Sequence, residues 1–256
     1  MKHTKPLVSI LLPVHNDQSH LSSCLESLLK QTYKNIEVIA IDDKSSDKSL
    51  RVLNSFKKTG KKKLKVYKNI KRYGISMTLN RAIKRANGEF ITIMDAEDVY
   101  SPKKIAKQVR FLLENPEFAA IGTQCYFINN FTKKIGKSNF PQTNKNVYSS
   151  PLHGINLQFE SILINRNKLP KDLIKFKSDA YPFLYNDIFM KILPFGKFAN
   201  LDECLHYHRR HPDTYLLDLK TNIGSLIKLW VKSIASYDYN PTLRSFFAPI
   251  IRSTNL

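Results

Sequence analysis

Glycine is scarce. The chain has 256 residues and eight glycines, and neither G-x-G-x-x-G nor G-x-x-x-x-G-K-[ST] occurs in it. Dinucleotide-binding turns and P-loops need glycine where backbone closes on phosphate, so a nicotinamide dehydrogenase and a P-loop enzyme are both set aside. Cysteine is equally sparse. Cys24, Cys125 and Cys204 are odd in number, far apart and without paired metal-ligand spacing. That excludes a disulfide framework and a zinc module and fits reduced thiols in a cytosolic protein. No apolar run approaches the roughly 18 residues that a membrane-spanning helix needs, so a soluble or peripheral chain is expected. The opening "MKHTKPLVSILLPV" has a basic flank, but its apolar run is short, contains Pro13 and precedes no cleavage pattern. It reads as a buried strand, not a signal peptide. Acid is the last shortage: 21 Asp and Glu face 41 Lys and Arg, a formal net charge of +20.

What is present suffices for a large core. At 42% hydrophobic content, this length can bury one core, or one core and a small appendage. The basic charge is uneven, since residues 57–72, "KKTGKKKLKVYKNIKR", carry nine Lys or Arg and no acid. Such a run is a solvated loop or a surface for a nucleotide, a nucleic acid or an acidic lipid. No helix-turn-helix, zinc-finger or RNP pattern accompanies it. A nucleic-acid-binding module is therefore the alternative reading, and no nucleic-acid partner is expected.

The order of elements is informative. "LVSILLPV" (7–14) and "IEVIAI" (36–41) are near-continuous apolar runs, the mark of strands covered on both faces. Between them Leu21, Cys24, Leu25, Leu28 and Leu29 share one helical face. Ser46 or Asp47 can cap a helix burying Leu50, Leu53 and Phe56, and Asp42 can cap or brace the loop before it. A third strand, "LKVY", a helix over 75–87 closed by Gly88, and a fourth strand, "EFITIM", follow. Four strand–helix alternations in about a hundred residues predict an α/β fold, a Rossmann-like, mostly parallel open sheet flanked by helices. Ligands of such sheets bind beyond the carboxyl ends of the strands. Three of those ends are polar: "PVHND", "IDDKS" and "MDAED". They are expected to meet around one cleft. Three acidic side chains within four positions of a basic chain repel one another unless a cation joins them, and hard oxygen ligands suit Mg²⁺ or Mn²⁺.

"VSILLPVHND", "CLESLLKQTYKNIEVIAIDDKSSDKS", "GEFITIMDAEDVYSP" and "KQVRFLLENPE" together resemble the N-terminal half of the family-two glycosyltransferases with the GT-A fold. The resemblance covers roughly residues 6–125, and weakly 155–215. It implies a nucleoside-diphosphate-sugar donor, with UDP favoured, and Pro13, Val14 and His15 lining the base. His15 stands where the family usually has Tyr. Asp43 matches the residue that accepts a hydrogen bond from the base. Lys71, Arg72 and Gly74 fall where relatives contact base or ribose, and Asn80 lies on the helix facing the same cleft. "DAED" occupies the place of the metal-binding D-x-D segment, so the resemblance implies Asp95, Glu97 and Asp98 as ligands of Mn²⁺ or Mg²⁺, with Glu97 in place of the usual Asp.

The same resemblance implies a sugar transfer with inversion to a glycan or lipid-linked acceptor, as in bacterial lipopolysaccharide or capsule synthesis. Inverting relatives take their catalytic base from a Glu-Asp pair ahead of a helix, but those positions here hold Leu184 and Tyr185. Asp187 and Asp179 are the substitutes considered, with Asp187 equally readable as a helix cap. A sugar-nucleotide-binding protein without efficient transfer stays open as a second alternative. In "YHRRHPD", His211 matches the histidine of a family Arg-x-His run that meets the diphosphate or the metal site. His153 fits a family histidine less well than it fits an ordinary loop residue. Residues 130–150 read as a polar loop, and "QFESILINR" as a returning strand.

The expected organisation is a GT-A domain over 1–215, with a nucleotide-sugar half (1–125) and an acceptor half (126–215), then a helical extension over 216–256. In that extension Ile223, Leu226, Ile227, Trp230, Val231 and Ile234 share a helical face expected to pack on the domain or to touch an anionic membrane. The location expected is cytoplasmic, with peripheral contact at the inner face of the cell membrane as a further option.

Overall fold

The computed structural model describes residues 5–59, 63–148, 158–180, 183–210, 223–237 and 239. His153 and His211 lie outside the described residues.

The first half alternates as expected: β1 (Val8–Val14), α1 (Leu21–Leu29), β2 (Ile36–Asp42), α2 (Ser49–Thr59), β3 (Leu64–Lys68), α3 (Ile75–Ile83) and β4 (Phe90–Ile93). After β5 (Val99–Tyr100) and α4 (Lys104–Glu114) come β6 (Phe118–Ile128), β7 (Lys134–Lys137), α5 (Asn144–Tyr148), β8 (Leu163–Asn165), α6 (Leu184–Ile192), β9 (Lys197–Arg209) and α7 (Ile223–Ser236). One nine-stranded sheet runs β3-β2-β1-β4-β8-β6-β9-β5, with β7 added on β6. β1 to β4 are mutually parallel. β8 runs antiparallel to both β4 and β6, β6 pairs parallel with β9, and β5 and β7 are antiparallel to their partners. The sheet is therefore mixed, with most strands sharing one direction.

Alternate residues of the buried strands feed two cores. Leu11, Ile39, Ile41 and Ile93 face α3, α6 and Leu229 of α7, whereas Ile10, Leu12, Val38 and Ala40 face α1, α2 and α4. This two-sided burial is why the strands read as unbroken apolar runs.

Several local expectations change. α3 stops at Ile83, and Gly88 does not close it: a Cβ there would stand 2.6 Å from the Ser9 backbone nitrogen, so glycine serves close strand approach. Residues 130–150 hold β7 and α5, not an unbroken loop. "QFESILINR" begins as a 3₁₀ turn over Phe159–Ser161 and is extended only at Leu163–Asn165. On α7 the buried face carries Leu229 and Ser233, while Ile227, Val231 and Ile234 are 50%, 53% and 41% exposed. A bond from Lys232 to Asp187 sets that rotation, turning three residues of the expected packing stripe outward.

Candidate donor-binding site

At the carboxyl ends of β1, β2 and β4 the polar segments close around one cleft of about 680 Å³. Eight residues expected at a nucleotide-sugar site line it: Pro13, Val14, His15, Asp43, Arg72, Gly74, Asn80 and Asp95. Lys71, Glu97, Asp98, Asp179 and Asp187 are not among its lining residues.

Asp43 organises the floor. Its Oδ1 accepts from the Asn69 side chain at 2.6 Å and the Tyr73 N–H at 2.8 Å, and its Oδ2 accepts from the Gly74 N–H at 2.7 Å. Burial pushes this carboxyl upward, but those N–H groups outweigh it and hold the pKa below the ordinary value. Asp43 thereby bends residues 69–74 back over the β2 end, and Gly74 accepts a φ of 81° at the start of α3. His15 donates through Nδ1 to the Asp43 carbonyl at 2.9 Å. Asp42 braces the loop by accepting from the Ser45 N–H at 3.2 Å, and Asp47 caps α2 by accepting from the Ser49 N–H at 2.8 Å. The Asn80 amide is spent on structure: it donates to the Phe176 carbonyl at 2.7 Å and accepts from the Phe176 N–H at 2.9 Å, fixing the opposite wall.

Asp17, within the quoted "PVHND", was missed as a site residue, and it too lines the cleft. Burial is the main cause raising its pKa to about 6, and Glu97 adds to the rise while a bond from the His15 N–H opposes it. Tyr73, Phe176, Ser178 and Tyr185 complete walls that motif spacing could not have assembled.

The acidic segment divides its labour. Asp95 faces the cleft, half-buried, with its Oδ1 accepting from the Glu97 N–H at 2.9 Å. Burial and then the charge of Asp98 push its carboxyl well above the usual range. Asp98 is turned away and saturated. Its Oδ1 accepts from the Arg209 N–H at 2.7 Å, and its Oδ2 from His206 Nε2 at 2.6 Å and His208 Nδ1 at 3.1 Å. Burial opposes its ionisation, yet the two imidazoles hold it ionised far below the ordinary range. Burial keeps His206 below its usual pKa. His208, where burial works against the proton, is nonetheless raised to about 9 by its bond to Asp98.

Asp98, His206 and His208 are close enough to be considered as a metal site, with ligand atoms within 4.8 Å of one another. At 2.6 Å, however, the His206–Asp98 contact is a hydrogen bond that an ion would have to break. The oxygens of Asp95 and Glu97 suit a hard divalent cation better, and Asp95 lines the cleft.

Asp187 is engaged elsewhere: its carboxylate accepts from Lys191, from Lys232 at 2.8 Å and from the Tyr237 hydroxyl at 2.9 Å. It pins α7 to α6. Asp179 is exposed on the 3₁₀ turn Ser178–Ala180, next to cleft-lining Ser178. A carboxylate not foreseen is Glu160, 7% exposed, which accepts from Gln158 Nε2 at 2.5 Å. Its neighbour Phe159 stacks on Tyr185 at 4.7 Å, the very position where relatives carry an acid. After burial, the Glu160 charge is the largest cause raising the Tyr185 phenol.

Known proteins share this family and fold. The model of "Glycosyl transferase family 2" matches residues 9–178. The chain is 31% identical to the Escherichia coli UDP-Glc:alpha-D-GlcNAc-diphosphoundecaprenol beta-1,3-glucosyltransferase WfgD over 180 residues, covering 70% of this chain and 68% of that one. Staphylococcus aureus TarS 1–349 in complex with UDP-GlcNAc superposes with a TM-score of 0.72 at 19% identity, over 91% of this chain and 68% of that one. The mannosyltransferase PcManGT of Pyrobaculum calidifontis, in complex with GDP-Man and Mn²⁺, gives 0.71 at 18% identity, over 98% and 70%. The structural likeness establishes the GT-A fold. The matched stretch spans 45% of a Bacillus subtilis putative glycosyltransferase and only 22% of a Bacillus spizizenii poly(ribitol-phosphate) beta-glucosyltransferase.

Proposed function

Since the chain belongs to glycosyl transferase family 2, and is thus a transferase handling nucleotide sugars, we propose that it moves a sugar from a UDP-sugar to a lipid-linked saccharide of the bacterial envelope, inverting the anomeric carbon. The convergence of three remote strand ends on one cleft carries this reading. Pro13, Val14 and His15 form the wall for the base, and the loop held by Asp43 brings Arg72 and Gly74 against ribose and phosphate. The lipid-linked acceptor is suggested by the diphosphoundecaprenol substrate in the name of the E. coli relative.

Asp95 and Glu97 would hold Mn²⁺ or Mg²⁺, with Asp98 as the buried anchor that fixes their backbone against β9. When bound, such an ion supplies the positive charge that offsets the departing diphosphate. Between Asp179 and Glu160, neither of them a cleft-lining residue, Glu160 is the better-held general base. Asp179 is exposed, whereas Glu160 is buried, oriented by Gln158 and near enough to Tyr185 for its charge to act on that phenol. As base it would take the proton from the acceptor hydroxyl as that oxygen attacks from the face opposite UDP.

Titration calorimetry with UDP and Mn²⁺, followed by a panel of UDP- and GDP-sugars, tests this. UDP should bind, and Glu160→Gln should slow transfer by about 10²–10⁴-fold with UDP affinity kept. Binding of GDP with rejection of UDP would overturn the donor, and UDP binding without any transfer would favour a sugar-nucleotide-binding protein.

A further inference from the structure

The β6–β7 hairpin presents a surface that nothing in the donor site uses. All residues from Asn130 to Lys137 are exposed, and at the turn Phe131 is 90% exposed, with Ile135 at 56%. Turn tips favour small polar residues, so an outward phenylalanine there costs hydration without a folding return. The tip is nevertheless firmly built. Asn129 Oδ1 accepts from the Phe131 and Lys133 N–H groups, both at 3.0 Å, and Thr132 takes a φ of 61°. Buried Arg209 reaches it as well, donating to the Asn129 carbonyl and to Thr132 Oγ1 at 3.3 Å, while its Nε donates to the Glu97 carbonyl at 2.9 Å. One guanidinium thus ties the hairpin tip to the acidic segment of the cleft.

The charge along the hairpin segment has one sign. No Asp or Glu occurs between Glu117 and Glu160, while Lys133, Lys134 and Lys137 all fall within the hairpin. Lys134 Nζ lies 3.7 Å over the Tyr126 ring, and the Arg210 guanidinium 3.5 Å over Phe127, so cations and aromatics interleave. Lysines on an edge strand also discourage edge pairing, but that leaves Phe131 unexplained. A soluble polyanion would use the cations and leave Phe131 idle. An anionic bilayer uses both, because aromatic rings settle at the headgroup boundary while Lys and Arg meet lipid phosphates. The outward stripe of α7 is the weaker candidate, since Lys232 is committed to Asp187 and leaves Lys228 as the helix's other cation.

We propose that the β6–β7 hairpin docks this protein on an anionic lipid bilayer, with Phe131 entering the headgroup region and Lys133, Lys134, Lys137 and Arg210 facing lipid phosphate. Through Arg209, docking sets the acidic segment at a fixed height above the membrane. The inference stands on the hairpin alone and does not depend on the donor reading.

Flotation of the full chain with phosphatidylcholine vesicles, with and without about one-third phosphatidylglycerol, tests it. The parent should float with the anionic vesicles only, and Phe131→Ser with Ile135→Ser should cut the bound fraction about tenfold, as should Lys133→Gln with Lys134→Gln and Lys137→Gln. Phe131→Trp should show a blue-shifted emission on adding anionic vesicles, which reads insertion without relying on a loss. Unchanged flotation in the hairpin variants, loss only in Ile227→Ser with Val231→Ser, or no flotation of the parent would each overturn the proposal. So would equal binding of parent and Phe131→Ser to anionic vesicles, the result expected of a purely electrostatic surface.

Discussion

Asp43 shows how much one side chain can do. Three N–H donors converge on its two oxygens, two of them from the backbone of the loop that carries Tyr73 and Gly74 to the cleft. Asp43→Asn keeps the shape but can turn an NH₂ toward N–H groups that need an acceptor. Leaving such a buried donor unpaired costs about 1–3 kcal/mol. Urea unfolding should show a loss of that size, and UDP affinity should fall with it. The importance of Asp43 was legible from its place after an apolar run, because strand ends in α/β sheets face the ligand. The duties of Asp98 and Asp187 were not. Asp98 meets His206 and His208 across more than a hundred residues, and Asp187 meets Lys232 and Tyr237 across about fifty. No local pattern encodes such pairings.

At the scale of elements, α4 carries an unusual burden. Lys104, its first residue, is fully buried, lies 5.7 Å from the Tyr100 ring centre, and its Nζ has no hydrogen-bond partner among the described residues. Burial lowers its pKa to about 7. Between about pH 7 and the ordinary lysine value, the unfolded chain therefore holds a proton that the folded chain has lost, so this group makes stability rise with pH. The slope is at most about 1.4 kcal/mol per pH unit. Lys104→Met should abolish the rise and stabilise the fold most below pH 7. Unfolding midpoints of parent and variant across that range check this, and parallel curves would show that Lys104 keeps its proton in the fold and that its pKa is not lowered. Helix and strand periodicity foretold α1, α2, β1, β2 and β4 because their apolar residues repeat locally. It foretold neither β7 nor the rotation of α7, because an edge hairpin and a surface helix take their orientation from distant partners.

For the whole molecule, the cleft joins the amino-terminal parallel half to walls from Phe176, Ser178 and Tyr185. A ligand that bridges them should stabilise the fold by mass action. With Mn²⁺ present, UDP at about a hundred times its Kd should add about 2.7 kcal/mol, seen as a higher Tm. Chelation with EDTA should remove most of that gain, because Asp95 and Glu97 would then face diphosphate without a cation between them. A UDP-induced shift that survives EDTA in full would mean that Arg72 and its neighbours neutralise the phosphates unaided.

The chain's order of residues was enough to determine the two-sided parallel half, the location of its ligand-facing ends and the family to which they belong, because those properties follow from local hydrophobic runs and short motifs. Only the tertiary structure decided which carboxylates face the cleft and which are locked away. It set Asp95 toward the cleft, saturated Asp98 with two imidazoles and a backbone N–H, retired Asp187 into an ion pair, and put Glu160 near enough to Tyr185 for its charge to raise that phenol. A carboxylate's role depends on how many donors reach it and how little water does, and both are settled by contacts between segments far apart in the chain.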